Sequence, residues 1–283
     1  MAKKVFIGVG HGGKDPGAVA NGFKESQFNL DVAKACAEAL KNNGVSVKLS
    51  RESDVSEDLA TRIKEAKAYK PNLAVDIHFN AGGGDGCEVY HSKTSKTDDA
   101  LAKNILYELY MIGQNMHSTT PTKIESGMKT KVTSSGTDYF GFVRQLTVDS
   151  KIPAVLVECA YIDNKKDIAI ADTLAERKIM GVAIAKGILK TLGITYKEKS
   201  TETKTEPAKE NLYAKGRKIS LKNVSLYPNS ASSKPTKQVS GIFYLYDGKN
   251  FLNRYRITNS LSRVGKTPVG SNVTGYIKKS DIK

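Results

Sequence analysis

Two histidines and one glutamate stand where short apolar runs give way to polar residues, and a second glutamate stands where a helix opens. His11 follows Val5–Val9 in Gly10-His11-Gly12-Gly13-Lys14-Asp15-Pro16-Gly17-Ala18, and His78 follows Leu73–Ile77 in Asp76-Ile77-His78-Phe79-Asn80-Ala81. Glu158 follows Ala154–Val157, and Glu25 lies where a helical pattern opens. Apolar runs of this length read as strands, and in an α/β sheet sites form at the strands' carboxyl ends. Two imidazoles and a carboxylate arriving separately at one edge make the His₂Glu set that binds catalytic zinc and leaves a fourth position open for water. The second carboxylate is then available as the base. Each residue also has a plainer reading. A lone His after a strand is commonly a hydrogen-bonded surface or core residue, which is the expectation for His91 and His117. Glycines around His11 instead leave room for a ligand and for tight turns. Glu25 could simply place a favourable charge at a helix N-terminus, an effect of a few tenths to about 1 kcal/mol. Glu158 is harder to explain that way, because a carboxylate between an apolar run and Cys159-Ala160 faces a desolvation cost that only pairing or function offsets.

The elements that position these residues follow from periodicity. Val5–Val9, Val45–Leu49, Leu73–Phe79 and Ala154–Val157 read as strands, three of them near-continuously apolar, as in a sheet covered on both faces. Between them Leu30, Ala33, Ala37 and Leu40 recur at helical spacing, with Gly44 as a C-terminal stop. Leu59, Ile63 and Ala66 mark a second helix. A third starts at Thr97 with Asp98 and Asp99 in its first turn, at the positive end of the helix dipole. In a fourth, Thr173 and Glu176 are spaced as a capping box. Strand alternating with helix predicts an α/β domain with a mostly parallel twisted sheet flanked by helices, over residues 1–195. Tyr196–Glu210 lacks apolar periodicity, alternates charge and contains Pro207, so 196–211 reads as a solvated linker. Residues 212–283 change texture to β-branched and aromatic runs split by turn residues, with Asp247-Gly248 as a hairpin signal, and predict a small all-β domain.

Charge divides along the same boundary. The chain of 283 residues carries a formal +15. Residues 1–190 hold 26 Lys and Arg against 23 Asp and Glu, 191–211 hold 4 of each, and 212–283 hold 14 against 2, so +12 of the excess lies in the last quarter. A polyanion-seeking module joined to a nearly neutral one is the expectation. The basic residues are spread among strands and turns without a helix-turn-helix, zinc-finger or ribonucleoprotein pattern, so nucleic acid is not the expected partner. With 39% hydrophobic and 26% charged residues the chain can build a core, and no apolar run reaches the 18 or so residues of a membrane span, so no membrane partner is expected. The apolar run after Lys3-Lys4 stops at Gly10-His11, too short for a secretory signal, which predicts synthesis in the cytoplasm without an export signal. Cys36, Cys87 and Cys159 are odd in number and contain no CxxC pair, so neither a disulfide framework nor a thiolate metal site is expected.

HGGKDPGA, a Glu fourteen residues after the His, DIHFNA and PAVLVECAYIDN together resemble the zinc-dependent N-acetylmuramoyl-L-alanine amidases of the Amidase_3 type, over about residues 3–192. The resemblance implies that His11, Glu25 and His78 bind Zn²⁺ and that Glu158 is catalytic. Cys159-Ala160-Tyr161 stands where the family usually has a small or apolar residue, Gly and Phe, a departure that touches local packing and leaves the Glu in place. Asn80 and Arg144 lie near matching motifs, where ordinary hydrogen bonding is the expectation. Ile219–Tyr227, SGIFYLYDG, RYRITN and the closing GYIKKSDI resemble the small SH3-like wall-binding modules of bacterial and phage lytic enzymes. Within them Phe243, Tyr244 and Tyr246 are expected in the core. Together the resemblances imply a peptidoglycan hydrolase of the phage-endolysin kind, cutting between N-acetylmuramic acid and L-alanine, anchored to peptidoglycan and anionic wall polymers, and reaching the wall once the membrane is permeabilised. A zinc carboxypeptidase or endopeptidase on the stem peptide is the alternative chemistry, and a host autolysin or spore amidase the alternative role.

Overall fold

The structure is a computed structural model and describes residues 2–116, 120, 122–198, 213–228, 230, 232–251, 253–266 and 273–282; His117 lies outside them. It divides into two compact units, Met1–Lys199 and Ser200–Lys283. In chain order the first contains β1 (Lys4–Val9), the short pair β2 (Val19–Ala20) and β3 (Phe23–Lys24), α1 (Glu25–Asn42), β4 (Ser46–Leu49), α2 (Leu59–Tyr69), β5 (Leu73–Asn80), β6 (Glu88–His91) and α3 (Lys96–Met111). It continues with α4 (Ile124–Gly127), β7 (Met128–Lys129), α5 (Gly141–Val143), a wide helical turn at Arg144–Asp149, β8 (Ala154–Tyr161), α6 (Lys165–Ile168) and α7 (Leu174–Thr191).

The central sheet runs in the order β4-β1-β5-β8-β6-β7. The first four strands are mutually parallel, β6 is antiparallel to β8, and β7 is parallel to β6. Alternation along the strands sends Phe6, Ala74 and Ala154 to one face, where Ile63 and Ala66 of α2 meet Phe142 and Leu146 in a buried cluster. On the other side α1, α7 and α3 form a contiguous helical layer. α3 starts at Lys96, one residue before the expected Thr97, with Ser95 as its cap accepting from the Asp98 N–H, and Thr173 and Glu176 complete the expected capping box on α7. Among the described residues no helix is long and apolar enough to cross a membrane.

In the second unit β9 (Lys218–Leu226), β10 (Lys237–Phe251), β11 (Arg254–Thr258) and β12 (Gly275–Lys278) form an antiparallel meander, β12-β11-β10-β9. Tyr227 and Tyr276 exchange backbone hydrogen bonds of 2.8 and 2.9 Å, which draws the end of β9 against β12. Ile219, Leu221, Phe243, Leu245, Ile257 and Ile277 are among the residues filling the interior. Phe243 and Tyr246 are buried as expected, and Tyr244 is half-buried.

Asp247-Gly248 is not a hairpin turn. β10 runs through it to Phe251, and the register with β11 slips between Leu245 and Asn250. Gly248 takes φ +68° inside this irregularity, where a Cβ would press on Tyr213 O and Lys215 N at 2.8 Å, and Asp247 is held by Arg256 at 3.1 Å. The dipeptide makes a bulge against a crossing segment, and the reversal comes after Phe251.

The helical layer includes a close approach between α7 and α3. A Cβ on Gly187 of α7 would lie 2.6 Å from the Ile105 Cα of α3. Gly187→Ala is therefore expected to force the two helices apart at a cost of about 1–3 kcal/mol. Thermal unfolding followed by circular dichroism checks this, since each kcal/mol lowers Tm by roughly 2–4 °C in a unit of this size.

Candidate active site

His11 is the first residue beyond the buried strand β1 and its neighbour Gly10, and it adopts φ +58°, a conformation a bulky residue holds only when its surroundings insist. Those surroundings are a two-way backbone link between Gly12 and Asp15 at 2.8 and 3.1 Å and the Asp15 carboxylate, whose Oδ2 lies 2.7 Å from His11 Nδ1. The buried Arg51 guanidinium donates to the carbonyls of Val9, Gly10 and Ser26, fastening the end of β1 to the start of α1. His78 sits in β5, which extends to Asn80. Two glycines make room for this crowding: a Cβ on Gly10 would fall within the His78 ring at 2.3 Å, and one on Gly17 would lie 2.6 Å from Glu25 Oε2 and 2.7 Å from the His11 ring.

Glu25, the first residue of α1, is only 4% exposed and gathers the cluster. Its Oε1 lies 3.0 Å from His78 Nδ1 and accepts from the Phe79 backbone N–H at 3.1 Å and Asn29 Nδ2 at 3.2 Å. Its Oε2 lies 3.2 Å from His11 Nε2 and accepts from the Ala18 N–H at 2.9 Å. Behind His78, Asp76 Oδ2 stands 3.5 Å from Nε2, and Arg62 in turn bonds Asp76 at 3.2 Å. The result is an alternating row, Asp15–His11–Glu25–His78–Asp76. The imidazoles meet edge to face, with centroids 5.1 Å apart.

The charges follow from this row. Burial opposes ionisation of Glu25, yet the two imidazoles hold its carboxyl far below the usual carboxylate range. Burial likewise works against a charged His78, but Asp76 and then Glu25 outweigh it and raise its pKa to about 10. His11 is raised chiefly by its hydrogen bond to Glu25. Asp76 stays below its ordinary value in spite of burial, held down by Arg62 and His78. The site therefore favours positive charge at its centre. His11, Glu25 and His78 each offer a ligand atom within 4.8 Å of the others, and among the described residues they are the group that could hold a metal ion. Outer carboxylates orienting imidazoles, as Asp15 and Asp76 do here, are the usual support of such ligands.

Glu158 lies in β8, register-paired with His78 on one side and Glu88 of β6 on the other. Burial pushes its pKa up to about 7; His78 opposes the rise, and Glu25, Glu88 and Asp76 add to it. Its Oε2 is buried with no hydrogen-bond partner. A carboxyl raised to neutrality beside a cluster able to hold a cation is suited to taking up and returning a proton.

The four residues expected to act together thus share one sheet edge. The others do not join them. His91, at the far end of β6, pairs with Asp99 of α3 at 3.1 Å. Asn80 donates to Glu88 Oε2 at 3.3 Å, and Arg144 donates to the carbonyls of Asp138 and Tyr139 at 2.7 and 3.3 Å, both ordinary internal bonds. Cys159 and Ala160 are fully buried and Tyr161 packs beside Gly84, so the departure in this stretch is absorbed by packing. Asp15, Asp76 and Glu88 lie around the cluster without having been singled out, although a lone Asp in an apolar strand, as at position 76, is a readable signal of a buried partner.

Residues 5–190 match Amidase_3, N-acetylmuramoyl-L-alanine amidase. The chain is 32% identical over 212 residues to the endolysin of Bacillus phage SPP1, covering 73% of this chain and 72% of that one. It is 29% identical over 235 residues to the N-acetylmuramoyl-L-alanine amidase CwlM of Bacillus licheniformis, covering 80% and 86%. The catalytic domain of CwlV, an N-acetylmuramoyl-L-alanine amidase from Bacillus (Paenibacillus) polymyxa var. colistinus, superposes with a TM-score of 0.57 at 30% identity, over 68% of this chain and 99% of that one. With its matched segment spanning the sheet and all four clustered residues, the chain belongs to the Amidase_3 family of N-acetylmuramoyl-L-alanine amidases.

Proposed function

We propose that this amidase is a zinc enzyme of the phage-endolysin kind, with a catalytic domain at 1–195, a linker at 196–211 and an SH3-like wall-anchoring domain at 212–283. The observation that carries the reading is the convergence of His11, Glu25 and His78 with the buried Glu158 on the adjacent strand. His11, Glu25 and His78 would hold Zn²⁺: two neutral imidazoles and one carboxylate are its usual catalytic donors, and a dication would take the place of the protons the imidazoles now share with Glu25. When bound, zinc supplies Lewis-acid polarisation of the scissile carbonyl and lowers the pKa of water toward neutrality. Asp15 and Asp76 hold the two rings in place, and Glu25 is positioned by the Phe79 and Ala18 N–H groups. Glu158 accepts the proton of the attacking water and returns it to the departing amine of L-alanine, a role supported by its burial beside His78 with one oxygen unpartnered. The +12 carried by residues 212–283 and the antiparallel meander of the second unit support a wall-anchoring module, and the likeness to the SPP1 endolysin supports the lytic role.

Glu158→Gln is expected to lower kcat by about 10²–10⁴ while the bound metal, measured by plasma mass spectrometry, stays stoichiometric. Undiminished turnover would remove Glu158 from the proton-transfer role. Chelation should abolish hydrolysis and added zinc restore it, with His78→Ala binding metal weakly; activity that survives full metal removal rules the zinc reading out. Mass spectrometry of digested wall should show complete stem peptides beginning with a free L-alanine amine, whereas shortened stems still joined to sugar would mean cleavage within the peptide.

A further inference from the structure

We propose that the seam where β12 closes on β9 and β11 is a binding cleft for a wall polymer of phosphodiester-linked polyols. This deepens the wall-anchoring reading by naming the site and the chemistry it takes. Two open concavities of about 630 and 600 Å³ flank the end of β12 and share Lys278 and Ser280. Asn253, Arg254 and Lys279 line the first; Lys222, Asn223 and Tyr227 line the second. Sharing a wall makes them successive subsites along one track, which suits a repeating polymer better than a single small anion.

Three cations of this track lie over aromatic rings. The Arg254 guanidinium lies 3.7 Å from the Tyr227 ring centroid, Lys278 Nζ lies 5.9 Å from the same ring, and Lys279 Nζ lies 5.3 Å from the Tyr213 ring. Such contacts use the ring face and fix a flexible side chain in advance, which lowers the ordering cost of binding. The domain's two acidic residues are engaged nearby: Asp247 pairs with Arg256 at 3.1 Å, and Asp281, which lines the second concavity, accepts from the Lys278 backbone N–H at 3.2 Å. Ser220, Ser225 and Ser280 and the amides of Asn223 and Asn253 add hydroxyl and amide partners of the kind that polyol hydroxyls and phosphate oxygens require.

Nucleic acid is also a phosphodiester polymer, and the aromatic rings decide between the two. Proteins that bind single strands offer ring faces on which bases stack. Here Tyr227 is 5% exposed and covered by Arg254, while Tyr213 stacks on Tyr255 at 4.9 Å and 16° and is approached by Lys279. The rings serve the cations, and the track suits a polyanion without bases.

The test uses the full chain and three probes: soluble poly(glycerol phosphate), peptidoglycan stripped of phosphate polymers with hydrofluoric acid, and DNA of matched phosphate content. The soluble polymer should bind in a salt-dependent manner. Lys278→Ala/Lys279→Ala should weaken that binding at least tenfold, and Lys222→Ala several-fold. Lys237→Ala/Lys249→Ala, which removes the same charge from exposed positions off the cleft, should stay within about twofold and should hydrolyse soluble muropeptides at the parental rate. Binding to stripped peptidoglycan but not to poly(glycerol phosphate) overturns the phosphodiester assignment and leaves wall anchoring standing. Binding to neither overturns both, and preference for DNA reverses the choice of partner. Equal loss in the cleft and off-cleft variants replaces the cleft by diffuse charge. Should the double variant unfold, Lys222→Ala alone carries the same comparison.

Discussion

The catalytic unit is organised around one buried carboxylate. Glu25 is almost inaccessible to water, and an isolated carboxylate there would cost several kcal/mol. It is tolerated because it accepts from two backbone N–H groups, one amide and two imidazoles, and because it opens an 18-residue helix whose positive end faces it. Each of those partners imposes a further condition. The imidazoles need strands β1 and β5 side by side with their carboxyl ends level, and the ring of His78 needs a residue without a side chain at position 10. The N–H of Ala18 needs the chain after His11 to fold back, which it does through the Gly12–Asp15 link and the left-handed His11. Removing Glu25 would leave the strained backbone at His11 held from the Asp15 side alone.

The same crowding separates the two glutamates. Glu25 and Glu158 are both buried, yet one is held far below the usual carboxylate range and the other is raised to about 7. The difference lies in partners. Glu25 is enclosed by donors, whereas Glu158 has Glu88 beside it in the ladder and one oxygen without a partner. Two carboxyls driven apart in this way differ in state, one held ionised and the other poised to change protonation near neutral pH. The antiparallel strand β6 matters here, because it delivers Glu88 rather than an apolar residue to the flank of Glu158.

Much of this was legible in the sequence, and the gaps have physical causes. His11, His78 and Glu158 follow or interrupt apolar runs that can hardly be anything but buried strands, so their meeting at one edge followed from parallel topology. Glu25 was legible only because a helix begins there; that its side chain turns inward depends on Gly17 and Asn29, which no periodicity reports. Asp15 and Asp76 lie in the same motifs as the two histidines, but a role exercised through a neighbouring ring leaves no spacing signature. β6 is four residues long and lies antiparallel among parallel strands, and Glu88 and Tyr90 on it look like ordinary polar alternation. Asp247-Gly248 misled because the left-handed conformation that suits a turn also suits a bulge, and only the crossing of Tyr213–Lys215 selects the bulge.

The division of charge between the two units has a mechanical consequence. Interactions among exposed charges decay over about 8 Å at physiological ionic strength, whereas buried pairs are screened far less. The lysines at positions 222, 278 and 279 are exposed, while Glu25, Asp76, Arg62 and Arg51 are enclosed. Salt therefore screens the exposed lysines of the β-domain without disturbing the row from Asp15 to Asp76. Had the excess charge been carried on the catalytic sheet, it would have added to the field that already lowers Glu25 and would have opposed the rise of Glu158. With the catalytic unit nearly neutral and the excess positive charge carried by the β-domain, each carboxyl thus keeps its own state.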